Sequence, residues 1–220
     1  MIIFDNAIYI HVPKTGGSSF EQMCEQRHGI PVSGQQHDIA ADIPSEHLHK
    51  QVFGFIRDPL IAEVSNWRYH KFSWQGNDLF TFESWCEWRY GGLSEEYGFS
   101  LGLTEEQVKY GYKFNVRPSA GYFCDALGDC VADRIYRYEE LNEGLKEVSK
   151  RLGMDCFIDG FQGMRYGWGN GRENYMSHVT PKAEELVREA KRIDFTLHSA
   201  PGPVSVNYKC PVVRNYGYTR

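Results

Sequence analysis

An α/β fold with a mainly parallel central sheet flanked by helices is predicted by three observations. Short β-rich runs alternate with stretches of helical periodicity. The first two runs each end in a turn that opens a helix, one rich in glycine and one built on proline. The composition, 41% hydrophobic and 24% charged over 220 residues, is that of a chain able to bury a core, and the length suits a single domain over residues 1–220.

The elements follow in order. Ala7–Val12 reads as a buried strand stopped by Pro13. KTGGSS is a turn, and Phe20, Met23 and Cys24 then fall at helical spacing. Gln51–Ile56 is a second strand, ended by Arg57-Asp58-Pro59, with Asp58 placed to cap a helix that runs through Ser65 toward Tyr69. FTFESWCEWRY reads as helix, with Trp85 and Trp88 as core, and Arg134–Tyr138 as a third strand. Leu141, Leu145, Val148 and Leu152 mark one face of a helix stopped by Gly153, and Thr180 caps a last helix with Leu186, Val187 and Ala190 as its apolar face. Gly160–Gly171 reads as a loop.

Charge and cysteine usage narrow the class. There are 24 Lys and Arg against 29 Asp and Glu, a net charge of −5, which gives no global basic footprint for nucleic acid but leaves a local anion site open. No apolar run approaches the roughly 18–20 residues of a membrane helix, so no membrane span is expected. The six cysteines (24, 86, 124, 130, 156, 210) form no CxxC pair, and free thiols in a cytoplasmic protein are the expectation, with Cys124 and Cys130 reduced neighbours in a turn.

Two motifs carry chemistry. A strand followed by a glycine turn at a helix N-terminus is an anion site, because the first helical amides have no internal partner and the helix dipole is positive there. Gly16 and Gly17 permit close approach, Ser18 and Ser19 add hydroxyls, and Lys14 adds a charge. The nucleoside-triphosphate loop places lysine after its glycines, whereas here lysine precedes them and no Gly-Lys dipeptide occurs. Taken alone, the glycine pair reads as a plain turn with a solvated lysine. The second motif is Arg57 at the carboxyl end of the second strand with Ser65 eight residues on, a guanidinium fork and a hydroxyl suited to a phosphate monoester.

HVPKTGGSSF followed by FGFIRDPLIAEVS resembles the signature pair of the PAPS-dependent sulfotransferases, most nearly their carbohydrate branch of heparan and chondroitin/dermatan enzymes. FTFESWCEW, the stretch from SAGYF to KRLG, and TPKAEELVREAKRIDFTLH resemble further segments of that family in the same order. The resemblance implies a P-loop-like three-layer fold. It also implies transfer of a sulfuryl group from 3′-phosphoadenosine 5′-phosphosulfate (PAPS) to a hydroxyl acceptor, with a saccharide or small molecule preferred, releasing 3′-phosphoadenosine 5′-phosphate (PAP). Under it, Lys14 acts on the leaving oxygen. The segment Thr15, Gly16, Gly17, Ser18 and Ser19 holds the 5′-phosphate, Arg57 and Ser65 hold the 3′-phosphate, and no metal is required. One position departs: the family's arginine five residues after the RDP arginine is here Ala62, which removes a local ion pair at the helix start.

His37 is the candidate general base, with Asp38 to orient it and Glu21 as second choice; His11 reads as structural. His47 and His49 read as a solvated helical pair lacking a third ligand. Trp67 and Trp74 are candidates to border an acceptor cleft, and Trp168, with Arg165 and Arg172, for a contact from the glycine-rich loop. A nucleotide-dependent phosphotransferase and a catalytically silent nucleotide-binding protein are the competing classes.

Overall fold

Ala7–Ile10 is buried at every position, and Gln51–Ile56 at all but the first, so both strands lie inside a sheet covered on two faces. The computed structural model describes residues 1–35, 37–74, 77–91, 95–108, 117–156 and 172–200. Its sheet has four strands in the order β1 (Ile2–Ile3), β2 (Ala7–Ile10), β3 (Gln51–Ile56) and β4 (Arg134–Arg137). β1 and β2 are antiparallel, whereas β2–β3 and β3–β4 are parallel, with Ile10 opposite Gly54 and Ile56 opposite Arg137. β1 precedes the strand expected from the sequence and joins it through Asp5-Asn6, a tight turn closed by the Phe4 amide on the Ala7 carbonyl at 2.8 Å.

Side-chain alternation sorts the core. Tyr9, Phe53, Phe55 and Tyr136 face helix α1 (Gly17–His28), through Phe20, Met23 and Cys24, and helix α5 (Leu141–Leu152), through Leu145 and Val148. Ile8, Ile10, Val52 and Ile135 face the opposite way, onto a short 3₁₀ segment at Ser119–Phe123 and onto Leu197 of helix α8 (Arg192–Ser199). A third cluster joins helices α2 (Pro59–Trp74), α3 (Phe82–Tyr90) and α7 (Pro181–Ala190) around Val64, Trp67, Trp85 and Val187. Helices α4 (Glu95–Ser100) and α6 (Arg172–Met176) pack on the same cluster through Tyr97 and Tyr175.

The local signals act as expected at most helix ends. Asp58 Oδ1 accepts the Leu60 and Ile61 amides at 3.0 and 3.2 Å, Thr180 Oγ1 accepts the Ala183 amide, and Gly153 ends α5 in the left-handed region. Cys124 and Cys130 are free thiols facing each other across an isolated antiparallel bridge. Three expectations are corrected. Ala190 is exposed, and the buried face of α7 is Ala183 and Val187. His47 lies in a short 3₁₀ turn with exposed His49 following it, so the pair is not on a helix. Trp67 is core, its Nε1 donating to the Phe80 carbonyl at 3.2 Å. The expected loop at 160–171, with Arg165 and Trp168, lies outside the described residues, as do Cys210 and the side chains of Trp74 and Arg172. Among the described residues no helix is long and apolar enough to cross a membrane.

Candidate functional site

The carboxyl ends of β2 and β3 are neighbours because the two strands are parallel, and their sequels carry Lys14 and Arg57. Arg57 Nη1 donates to the Lys14 carbonyl oxygen at 3.4 Å. Lys14 holds the left-handed conformation at φ 66°, unusual outside glycine and worth about 1–2 kcal/mol of local strain. Gly16 follows at φ 79° as the N-cap of α1, with no side chain to satisfy the helix's first amides.

Gly17 is confined from beneath. A Cβ there would lie 2.0 Å from the His11 ring, so the first turn of α1 rests directly on that imidazole. His11 is itself buried and donates from Nδ1 to Glu21 Oε1 at 2.8 Å, which ties β2 to the second turn of α1. Thr15 is also buried, and its hydroxyl donates to the Val12 carbonyl at 2.7 Å. Thr15 therefore shapes the turn through its side chain and has only its main chain to offer an anion. Ser18 is exposed and Ser19 half-buried on the outer side of the same turn.

Among the described residues no carboxylate pairs with Lys14 or Arg57, and Arg57 Nε is buried with no hydrogen-bond partner. The Lys14 ammonium sits 4.6 Å from the Tyr69 ring centroid. Burial first, and the Arg57 charge second, push its pKa down to about 8. Ser65 lies half-buried on α2, in the helix that Arg57 precedes.

His37 arrives beside the turn from the segment between the two motifs. Its ring is 4.5 Å from that of His11, edge to face, and its Nδ1 lies 3.3 Å from the His11 carbonyl oxygen. A carbonyl oxygen only accepts, so Nδ1 carries the proton and Nε2 keeps its lone pair. Burial, then the neighbouring His11, lower the His37 pKa to about 4, which leaves the ring neutral at pH 7. Asp38 does not orient it: Asp38 Oδ2 accepts the Gln35 amide at 2.7 Å. Glu21, the second-choice base, is buried and engaged by His11.

A small, solvent-open cleft adjoins Lys14, lined by Ala62, Glu63, Asn66, Arg117, Tyr122 and Lys191 among others. Ala62 therefore faces the cleft, and α2 starts normally without the missing arginine, on the Asp58 cap. A buried charge cluster floors the cleft. Glu63 lies 3.1 Å from Lys191 Nζ and 3.5 Å from Arg89 Nε, and accepts from Trp85 Nε1 at 2.8 Å. Burial alone would raise Glu63, but Lys191 and Arg89 outweigh it and hold its pKa at about 2. Nearby, the buried Asp194 accepts the Ser119 and Ala120 amides at 2.8 and 2.9 Å. No local sequence signal marks this cluster, since its members come from three separate segments. A second, smaller hollow, lined by Ala7, Gln51, Asp133 and Arg151 among others, lies at the opposite ends of the strands. Among the described residues no group of three His, Cys, Asp or Glu side chains is placed to hold a metal ion.

The chain matches no protein-family model, no curated protein and no solved structure.

Proposed function

We propose that this protein is a sulfotransferase that moves a sulfuryl group from PAPS to a hydroxyl acceptor, with a saccharide the preferred acceptor class. The observation that carries the reading is the pairing of Lys14 and Arg57. Two cations without an acidic partner among the described residues stand at the carboxyl ends of adjacent parallel strands. One is set at a glycine-capped helix start and the other beside a serine-bearing helix. Such a pair fits a ligand with two separate anionic groups, as PAPS has, and the P-loop-like arrangement of strand, turn and helix is what the reading requires of the fold.

When bound, the donor supplies the sulfuryl group and a phosphate leaving group. Lys14, with the amides at the start of α1, would offset the charge that grows on the leaving oxygen, a role in which one donor is typically worth about 100- to 1,000-fold in rate. The Thr15–Ser19 segment would hold the 5′-phosphate, and Arg57 with Ser65 the 3′-phosphate. His37, neutral and with Nε2 unprotonated, is suited to take the acceptor's hydroxyl proton as oxygen attacks sulfur. The cleft beside Lys14 is where an acceptor would enter, since it adjoins the same lysine from the α2 side.

The test is transfer of labelled sulfate from PAPS to a panel of saccharides and small alcohols. Product formation by wild type, lost in a folded Lys14→Ala protein, supports the reading. Absence of turnover with any acceptor, together with no affinity for PAP, overturns it.

A further inference from the structure

Asn66 is only 4% exposed, yet it lines the cleft beside Lys14, and its carboxamide forms no hydrogen bond among the described residues. A buried carboxamide, with two donors and an acceptor, normally has partners within the protein. One that instead borders a cleft is placed to bond what enters it. The sequence of α2 sets this position. Ala62, one turn earlier, shares the helix face and adds only a methyl group to the cleft wall. Tyr69, three residues on, lies under the Lys14 ammonium, 4.6 Å from its ring centroid. The stripe from Ala62 through Asn66 to Tyr69 therefore runs toward the lysine.

The charged groups of the same wall offer something different. Lys14, Arg117 and Lys191 only donate, and the Glu63 carboxylate is already held by Lys191, Arg89 and Trp85. Asn66 adds a neutral acceptor and a neutral donor side by side. Two hydroxyls on neighbouring carbons match that pair, one donating to Oδ1 and the other accepting from Nδ2. Either orientation of the carboxamide presents the same pair. A carboxylate, which only accepts, would meet Oδ1 with like charge, and a lone alcohol would leave one of the two groups unbonded.

We propose that Asn66 is an acceptor-binding residue that holds a vicinal pair of unreacting hydroxyls, so that the cleft selects a polyhydroxylated ring over a simple alcohol. This rests on the transfer reaction proposed above and adds to it the feature by which the acceptor is chosen. Asn66 takes no part in the transfer itself. A further hydroxyl oxygen of the acceptor bonds to sulfur, the bridging S–O bond breaks toward the leaving phosphate, and the proton passes to His37.

The test follows sulfate transfer from PAPS to methyl glucoside, methyl galactoside and their monodeoxy analogues, in wild type, Asn66→Leu and Asn66→Ala, with PAP calorimetry and urea unfolding alongside. Loss of one hydroxyl of the recognised pair should lower wild-type kcat/KM about 10- to 100-fold. Asn66→Leu should lose about as much on the intact glycoside and nothing further on that deoxy analogue, because both changes remove one interaction. Its PAP affinity and urea midpoint should match wild type, and Asn66→Ala serves if the leucine protein does not fold. Additive losses, or a midpoint that falls in both variants, overturn the inference, since Asn66 then acts on structure. PAP binding without transfer to either glycoside overturns it and leaves the donor site standing. Failure of the wild type both to bind PAP and to transfer overturns the proposed function, and this inference with it.

Discussion

Arg57 fixes the main chain of Lys14: its Nη1 donates to the lysine's carbonyl oxygen across 3.4 Å, so the residue after β3 holds the turn after β2. The Arg57 charge also acts on the lysine's ammonium, adding to burial in lowering its pKa to about 8. Removal of either residue therefore acts on both anion positions.

The lysine gives a pH dependence of definite sign. Its pKa is lowered from 10.5 to about 8, so the folded protein binds fewer protons than the unfolded chain between those values. Stability of the free protein from this group therefore rises as pH increases from about 8 to 10.5. Affinity for PAP moves the other way, falling as the ammonium is lost above about pH 8. Urea unfolding and calorimetry across pH 7–10.5 check the two trends, and both should vanish in Lys14→Met.

His37 is expected to give an acid limb. With a pKa of about 4, it stays neutral through the physiological range, and kcat/KM should hold level from pH 7 downward until the ring charges near that value. His37→Ala should lower turnover about 100- to 10,000-fold and remove the limb. Full turnover in that variant would place the base elsewhere.

Gly17 should resist any side chain. A methyl group at this position meets the His11 ring at 2.0 Å, and overpacking of this kind costs about 1–3 kcal/mol. Gly17→Ala should unfold at lower urea. The Gly17→Ala/His11→Ala pair should be less destabilised than the sum of the single variants, because removal of the ring removes the clash.

The buried Glu63 is expected to be structural. Glu63→Gln would leave Lys191 and Arg89 without their shared carboxylate, a change worth about 3–5 kcal/mol when one partner of a buried pair is removed. Because its folded pKa is about 2 against 4.5, its stabilisation is full above 4.5 and is lost as pH falls toward 2. Acid unfolding followed by circular dichroism in wild type and Glu63→Gln reads this directly.

Much of this architecture was legible residue by residue where a local rule applied. Asp58, Thr180 and Gly153 act within one turn of their own position, and the spacing of Phe20, Met23 and Cys24 reports one buried helix face. The strand at Ile2–Ile3 leaves no signal, because two residues are too few to show alternation and the turn at Asp5-Asn6 separates them from Ala7–Ile10. Ala190 failed for a tertiary reason, since helical spacing does not say where the neighbouring layer ends. At the candidate site, the proximity of Lys14 and Arg57 follows from parallel strands. By contrast, the Lys14–Tyr69 contact and the Glu63 cluster join distant segments and leave no pattern in the sequence. Asp38 was misassigned because adjacency in sequence was read as orientation, whereas its carboxylate closes a turn onto Gln35.

The most direct test of the central claim is calorimetric titration of the wild type and Arg57→Ala with PAP, alongside ATP with and without magnesium. The account predicts selective binding of PAP by the wild type and its loss in Arg57→Ala. Preference for magnesium-ATP, or PAP binding that survives in Arg57→Ala, would contradict it.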